Sequence, residues 1–211
     1  DTCRSAARNG HLDTLKWLKA NGCPWDEETC RETCRAAAKS GRLDILEWLK
    51  DSCCLVCDED TFDCAARYGD LDVLKWLKDK NCPWDHNTFD VAVKNGWIDM
   101  ILWLHFHSCP WGEWTCTFAA DRGHLPVLQW LRAKGCPWDA RTCAFAAKQG
   151  DLEMLKWARA NGCDWDDNTT YNAAEAAYRA EDSETRQKCL ELLMWAQTNG
   201  CPTEDAMYDW F

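Results

Sequence analysis

Apolar residues recur along this chain in one pattern that restarts about every 27 residues. In each copy a glycine is followed by leucine or isoleucine at +2, an apolar residue at +5, tryptophan at +7 and leucine or alanine at +8. This spacing follows the 3.6-residue period of the α-helix and gives one apolar stripe on an otherwise polar helix. No stretch alternates with the two-residue period of a strand, so we predict an all-α fold. The glycines that start the pattern are Gly10, Gly41, Gly69, Gly96, Gly123 and Gly150.

A shorter helix is predicted before each of these glycines. A threonine stands eight residues upstream of the glycine, and threonine favours helix N-caps whereas glycine ends helices. Paired alanines between them, such as Ala146 and Ala147, let a neighbouring helix approach closely. Each copy is therefore predicted to be a helix, a tight turn, a second helix and a short loop that often reads C-P-W-D. The threonines interpreted as N-caps are Thr2, Thr33, Thr61, Thr88, Thr115, Thr142 and Thr169.

Units of this size cannot bury a core alone and must stack on their neighbours. We predict one α-solenoid domain of about seven helix-turn-helix repeats over residues 1–211. Residues 168–211 depart from the pattern, because Trp157 and Trp195 are 38 residues apart rather than 27. We expect elongated helices there, a break near Asp182, and a last helix from Thr203 to Trp210 that completes an acidic C-terminal cap. The chain starts inside a repeat, so we also expect it to be a piece of a longer protein.

Charge and motifs limit the functions that this chain can have. The net charge is −11, and residues 161–211 alone carry 11 acidic and 3 basic side chains. Proteins that bind nucleic acids normally present a basic face, so we expect no nucleic-acid partner. The sequence contains no run of 18 apolar residues, so we predict no membrane-spanning helix. The sequence has no P-loop, G-x-S-x-G, H-E-x-x-H or dinucleotide fingerprint, so we expect neither enzymatic activity nor a cofactor. We also expect a monomer.

The sixteen cysteines mostly follow the repeat. Equivalent positions on neighbouring repeats should lie about 8–10 Å apart, the spacing of packed helices. A disulfide requires Cα atoms within roughly 7 Å, so we predict small, buried, reduced side chains in an intracellular protein, cytoplasmic or nuclear. One ladder lies six residues after the helix tryptophans: Cys23, Cys54, Cys82, Cys109, Cys136, Cys163 and Cys201. A second ladder comprises Cys3, Cys34, Cys116 and Cys143.

The pattern resembles the ankyrin repeat. Residues 10–26, GHLDTLKWLKANGCPWD, are similar to the ankyrin second helix and the turn that follows it. The A-A-x-x-G-H-L passages at residues 6–12 and 119–125 match the end of the first helix. The unit is shortened from the family's 33 residues to 27, so the β-hairpin finger should shrink or disappear. The resemblance implies a protein–protein interaction scaffold that presents a rigid concave surface of first helices and loops to another protein.

Positions that vary between matched repeats are the natural place for binding specificity. Trp114 stands where other repeats have the polar residues Asn87, Arg141 and Asn168, so we predict an exposed interface anchor there. The other loop tryptophans and the helix tryptophans are interpreted as packing residues. The partner-binding residues proposed from the sequence are Trp114, Phe118, Phe145, Tyr171, Tyr68, Arg35, Arg67 and Arg122.

Two alternatives stay open at this stage. One is the substrate-recognition part of a ubiquitin-ligase adaptor. The other is a zinc- or redox-responsive module, since Cys54-Leu-Val-Cys57 is a C-x-x-C motif with Cys53 beside it. No second pair follows at zinc-finger spacing, so no metal site is assigned. The metal-ligand candidates are Cys30, Cys34, Cys54 and Cys57.

Overall fold

The computed structural model describes residues 2–52 and 56–203, which fold into helices joined by turns and short loops. No strand occurs in these two ranges, as predicted for an all-α protein with shortened loops. Within the same ranges every helix is too short or too polar to span a bilayer. The helices are α1 Thr2–Arg8, α2 Leu12–Ala20, α3 Glu27–Lys39, α4 Leu43–Asp51, α5 Glu59–Tyr68, α6 Leu71–Asp79, α7 His86–Asn95, α8 Ile98–Phe106, α9 Thr115–Asp121, α10 Leu125–Ala133, α11 Ala140–Lys148, α12 Leu152–Ala160, α13 Asp167–Arg179 and α14 Ser183–Thr198.

The chain divides into two compact units, one ending at Gly112 and the other starting at Glu113. In the first unit the odd-numbered helices stack in order, α1 on α3, α3 on α5 and α5 on α7, and each packs on the helix that follows it. In the second unit α9 packs on α11 and α11 on α13, with α10, α12 and α14 as their following helices. Each unit is thus a stack of helix-turn-helix repeats.

Glycine ends the first helices, as the sequence predicts. Gly69 and Gly96 follow α5 and α7 with φ values of 78° and 68°, in the left-handed region that suits glycine. A second left-handed position follows the second helices α2, α6, α8, α10, α12 and α14. It is glycine at Gly135 but Asn81 after α6 and Ser108 after α8, where φ is 57° and 60°. Asn81 and Ser108 therefore adopt a backbone conformation that is strained for any residue other than glycine.

The predicted threonine N-caps are wrong in six repeats. Helices α3, α5, α7, α11 and α13 start before their threonine, and α9 starts at Thr115, after Trp114. The aspartate that ends the C-P-W-D loop is the cap: the Asp26 carboxylate accepts the backbone N–H of Thr29 at 2.8 Å. Before α5, Asp58 accepts the N–H of Thr61 at 3.1 Å and the Thr61 hydroxyl accepts the N–H of Asp58 at 3.3 Å, which is a capping box. The threonines lie inside the helices, with buried side chains: Thr33, Thr61, Thr88, Thr115, Thr142 and Thr169.

Eight tryptophans form edge-to-face pairs, which supports the packing role predicted for them. Four of the five loop tryptophans pack against the helix tryptophan of the following repeat, with ring centroids 5.7–5.8 Å apart and interplanar angles of 68–79°. The fifth, Trp111, contacts Phe89 and His105 instead. The pairs are Trp25–Trp48, Trp84–Trp103, Trp138–Trp157 and Trp165–Trp195. Cations cover several loop rings, with Arg132 4.2 Å from the Trp138 centroid and Arg159 4.1 Å from the Trp165 centroid. Trp17 has no loop tryptophan before it and is 62% exposed.

One cysteine pair contradicts the prediction of reduced thiols. Cys57 and Cys82 form a disulfide with Cα atoms 5.7 Å apart. The distance argument considered only equivalent positions in successive repeats, whereas these two positions are not equivalent. Cys57 precedes the capping Asp58 and so occupies the place that Trp84 occupies before Asp85. At that place the side chain faces the next repeat and reaches a cysteine of the first ladder.

The last repeat is elongated, as predicted. Helices α13 and α14 have 13 and 16 residues, and the chain is non-helical from Ala180 to Asp182. Asp182 caps α14 by accepting the N–H of Thr185 at 2.7 Å. Thr203 is not helical, and the rest of the predicted last helix lies outside the described residues.

Candidate functional site

The residues predicted to bind a partner fall into two groups, one in each unit. In the second unit Trp114 precedes α9, Phe118 lies on α9 and Arg122 directly follows it. Phe145 and Tyr171 lie on α11 and α13, the next two helices of the stack. The first unit holds Arg35 on α3 together with Arg67 and Tyr68 at the end of α5.

Trp114 is held by charged neighbours although its ring reaches solvent. The Arg141 guanidinium carbon lies 3.7 Å from the Trp114 ring centroid, and the Glu113 carboxylate accepts the indole N–H at 3.1 Å. The Phe118 ring is stacked beside the indole at 6.3 Å between centroids. Trp114 nevertheless remains 37% exposed. The structure therefore presents a large aromatic surface in a fixed orientation.

Arg141 is itself positioned by the cap of α11. Its Nε donates to the Asp139 carboxylate at 2.8 Å, and Asp139 accepts the backbone N–H of Arg141 at 3.0 Å. The hydrogen bonds from Arg141 lower the pKa of Asp139, and the same side-chain bond raises the pKa of Arg141. A capping aspartate thus orients the guanidinium that lies over Trp114.

Aromatic side chains continue along the same stack. Phe118 and Phe145 are 27 residues apart and occupy equivalent positions on α9 and α11. The Lys148 ammonium lies 5.1 Å from the Phe145 ring centroid. On α13 Tyr171 is 36% exposed, and its neighbour Asn172 donates to the carbonyl of Ala144 at 3.0 Å. Three successive first helices therefore contribute an aromatic residue to the candidate site.

Arg122 lies beyond the end of α9 as an exposed cation. Its guanidinium is 3.6 Å from the Asp121 carboxylate, and its side chain is 56% exposed. An exposed ion pair of this kind contributes little to stability, roughly 0–1 kcal/mol. The guanidinium is therefore accessible to an acidic group of a partner.

In the first unit Arg35 has a structural role. Its guanidinium lies 2.5 Å from the Asp58 carboxylate and 2.7 Å from that of Asp60, both at the start of α5. Burial works to raise the pKa of Asp58, but the hydrogen bonds from Arg35 and Thr61 outweigh it and hold that pKa below its usual value. Arg35 joins two repeats through this network.

The other first-unit candidates lie at the exposed end of α5. Tyr68 is 53% exposed, with the Lys39 ammonium 5.2 Å from its ring centroid. Arg67 is also exposed, in the last turn of the same helix. Nearby, the Thr88 hydroxyl donates to Asp63 at 2.8 Å, and burial raises the pKa of that carboxyl.

Sequence reasoning missed the roles of Arg141 and Glu113. Arg141 entered only as an example of a polar residue at the position of Trp114. The signal was present, because residues 114 and 141 are separated by the 27-residue repeat and equivalent positions on stacked repeats lie side by side.

The structure does not bring the cysteines predicted as metal-ligand candidates together, as far as it describes them. Cys57 is oxidised, Cys30 and Cys34 are buried in α3, and Cys54 lies outside the described residues, as does Cys53. Among the residues that the structure describes, no three His, Cys, Asp or Glu side chains converge as a metal ion would require.

Burial disfavours the thiolate at two cysteines of the first ladder. Burial raises the pKa of Cys109 to about 12, and its Sγ donates to the carbonyl of Asp85 at 3.4 Å. Burial also raises the pKa of Cys201 to about 11. Because the thiolate is the reactive form, these side chains stay protonated and inert at neutral pH.

Comparison with known proteins identifies the repeat. Residues 34–78 and 116–159 match a family model described as ankyrin repeats (many copies). No curated protein matches the chain. The crystal structure of the human ASB11 ankyrin repeat domain is similar, with a TM-score of 0.65 over 91% of this chain and 97% of that chain. The sequence identity is 16%, so this similarity shows the fold alone.

Structures of a second repeat class are less similar. The pentatricopeptide repeat protein PPR10 in complex with an 18-nt psaJ RNA element has a TM-score of 0.43 at 16% identity, covering 99% of this chain and 39% of that chain. PPR10 from maize has a TM-score of 0.49 at 13% identity, covering 99% and 40%. Scores below 0.5 support no inference about this chain.

Proposed function

We propose that this chain, which belongs to the ankyrin-repeat family, is a non-enzymatic scaffold that binds another protein through the first-helix face of its second unit. Trp114 is the anchor of that face. Phe118, Phe145 and Tyr171 extend it across α9, α11 and α13, and Arg122 supplies a cation at its margin.

The observation that supports this proposal best is the state of Trp114. Its indole is held by Arg141 and Glu113, yet 37% of the residue is exposed. Tryptophan and arginine dominate the energetics of protein interfaces. A side chain that is already ordered loses less entropy when a partner binds, so the same contact gives a higher affinity.

The chemistry of this face indicates the kind of partner. Its rings offer apolar surface, and Arg122 and Lys148 are exposed cations beside it. The partner should therefore insert an apolar or aromatic side chain next to Trp114 and carry carboxylates at the rim. Charged rim contacts mainly raise the association rate and make it sensitive to salt. The net charge of −11 argues against nucleic acid as the ligand.

A capture experiment tests the proposal. Immobilised wild-type protein, a Trp114→Ala/Phe118→Ala variant and a Trp17→Ala variant would each be incubated with lysate of the source cells, and bound proteins identified by mass spectrometry. Trp17 is a matched control because it is an exposed tryptophan in the other unit. We expect one protein to be enriched by the wild type and by Trp17→Ala and lost from the double variant. Retention of the same protein by the double variant would refute the proposed face.

A redox-responsive role is a second candidate, favoured by the Cys57–Cys82 disulfide. This bond joins the loop before α5 to the residue that follows the α6 turn, so its reduction would loosen the first unit. The test compares capture by the oxidised protein and by protein reduced with dithiothreitol, using Cys57→Ser/Cys82→Ser as the permanently reduced form. Loss of the partner in both reduced forms would support the role, and unchanged capture would exclude it.

A further inference from the structure

Helix α8 presents an apolar stripe to solvent on the face that points away from the core. Ile98, Leu102 and Phe106 are 49%, 45% and 81% exposed. They are spaced by four residues, so they lie on one side of the helix. Trp97, which precedes the helix, is 42% exposed and packs over Gly69.

The repeat scaffold requires only the first residue of this stripe. The position of Ile98 is leucine in the other second helices, whereas the scaffold does not require Leu102 or Phe106. The position of Leu102 is held in other second helices by Lys16, Glu47, Lys75, Gln129 and Lys156. The position of Phe106 is held by Ala20, Asp51, Asp79, Ala133 and Ala160. Helix α14 has Leu190 and Met194 at the positions of Ile98 and Leu102 but Thr198 at the Phe106 position, so its apolar side chains do not continue into the last turn. The departure in α8 is therefore specific to one helix.

Charge is also reduced on α8. Its only formal charge is Asp99, whereas α2, α4 and α6 carry three or four charged residues each. Removing lysine and glutamate from a solvent-facing stripe and adding leucine and phenylalanine lowers the desolvation penalty for covering it. Exposed apolar patches of this kind mark interaction sites.

In place of the monomer expected from the sequence, we propose that α8 is the interface of a homodimer, in which the stripe of one chain packs antiparallel on the stripe of a second copy. The spacing Ile98–Leu102–Phe106 is symmetric about its centre. A two-fold axis beside Leu102 places Leu102 against its counterpart and Ile98 against Phe106 of the other copy. Residues spaced by four form the helix ridges that interdigitate at a crossing angle of about −50°, and a two-fold interface is self-complementary in this way.

The antiparallel arrangement also pairs the polar residues at the two ends of α8, one from each chain. Asp99 lies in the first turn of α8, and His107 directly follows the last turn, with its ring 5.1 Å from Phe106 between centroids. Antiparallel pairing brings the Asp99 carboxylate of each chain to the His107 imidazole of the other, which can donate an N–H. Each carboxylate then has a partner at the edge of the apolar contact.

The area of the patch suits such an interface. Trp97, Ile98, Leu102 and Phe106 together expose on the order of 400–500 Å², given aromatic side chains of about 150–250 Å². A standard interface buries about 800 Å² on each partner, of which roughly 60% is apolar. The four residues would supply most of that apolar share. The stripe lies in the first unit and the proposed partner face in the second, and the two share no residue.

Sedimentation equilibrium, from about 1 µM to 1 mM protein, tests the dimer. The variant is Leu102→Lys/Phe106→Asp, which installs the residues that α6 carries at the same positions and should therefore fold. Circular dichroism and thermal unfolding check this, and Leu102→Gln, the residue of α10, is the milder second variant. Trp17→Ala, which removes an exposed tryptophan from α2 of the same unit, is the control outside the stripe.

We expect a dimer for the wild type and for Trp17→Ala, a monomer for the double variant, and at least a tenfold weaker dimer for Leu102→Gln. A wild type that is monomeric up to 1 mM overturns the proposal and leaves the stripe to a different occupant. A double variant that remains dimeric places the interface elsewhere and overturns it as well. The orientation is tested with Leu102→Cys, which should form an intermolecular disulfide on oxidation that wild type does not form, because the two copies of that position meet at the axis.

Discussion

Cys57 and Cys82 are joined by a disulfide at the place where four other repeat junctions have a pair of tryptophans. Cys57 takes the position of the loop tryptophan, and the helix tryptophan that it would have met is Trp76. A covalent bond has replaced an edge-to-face ring contact at one junction of the first unit. The disulfide and the tryptophan pairs alike connect the loop of one repeat to the second-helix region of the next.

The Cys57→Ser/Cys82→Ser variant should be less stable than the oxidised protein. The bond closes a loop with a sequence separation of 25, and a loop of that size predicts a loss on the order of 3 kcal/mol. Urea unfolding followed by circular dichroism measures the loss. Adding Trp at the first position, as Cys57→Trp/Cys82→Ser, should recover part of it by restoring the ring contact with Trp76. Equal stability of the oxidised protein and the serine variant would contradict this account of the junction.

Ser108→Gly should stabilise the protein by about 1 kcal/mol. Ser108 has a φ of 60°, and glycine reaches that region without the strain that a β-carbon adds. The reverse change at the equivalent turn, Gly135→Ala, is the matched control. A β-carbon at Gly135 would meet no atom within 4 Å, so the expected loss of stability arises from the backbone alone, where φ is 85°. If Ser108→Gly and Gly135→Ala both raised or both lowered the free energy of unfolding, φ would not be what decides stability at these turns.

Arg35→Met should destabilise the protein at neutral pH by about 0.5–1 kcal/mol, a value discounted because the pair is partly solvated. Arg35 holds the pKa of Asp58 below its unfolded value of about 3.9. A lowered carboxyl pKa contributes stability above the unfolded pKa, which is lost as the pH falls through the folded pKa. The difference between wild type and variant should therefore disappear at strongly acidic pH. Lys75→Met, which breaks the exposed pair with Asp72, should show a much smaller difference.

Asp63→Asn should change stability in the opposite direction and make the protein more stable at neutral pH. Burial raises the pKa of Asp63 despite the hydrogen bond from the Thr88 hydroxyl. A raised carboxyl pKa gives stability that is fully present below the unfolded pKa and is lost as the pH rises through the folded pKa. The asparagine variant, which still accepts from Thr88, should be more stable than wild type at pH 7 by roughly 0.5–1 kcal/mol after solvent screening. That advantage should shrink towards pH 3 in chemical denaturation, and a loss of stability that is the same at both pH values would refute the argument.

Local signals in the sequence predict the helices and turns but not how neighbouring repeats adapt to one another. The 3.6-residue period predicts the second helix of each repeat, and glycine predicts the turns. Both the helical periodicity and the backbone preference of glycine act within a few residues. The true cap at Asp58 was missed because Asp and Thr are both good N-caps and only the geometry of the loop selects between them. The Cys57–Cys82 bond was missed because it joins inequivalent positions of two repeats.

The candidate site shows the same division. Trp114 was proposed because it differs from its polar counterparts, a difference that the sequence alone displays. The guanidinium of Arg141 over its ring depends on how Asp139 orients that side chain, and an Asp–Arg contact between near neighbours is too common to predict such a stack. Arg35 was a plausible binding residue by position, and only the structure shows that its charge is engaged with Asp58 and Asp60.

Isothermal titration of the captured partner into wild type, Trp114→Ala and Trp17→Ala tests the central claim most directly. If Trp114 anchors the interface, its removal should weaken binding by at least about 30-fold, which corresponds to the roughly 2 kcal/mol of an interface hot spot. Trp17→Ala should bind like the wild type, and both variants should keep the helical circular dichroism signal. An affinity for Trp114→Ala within about threefold of the wild type, a difference below roughly 0.7 kcal/mol, would contradict the claim that this face binds the partner.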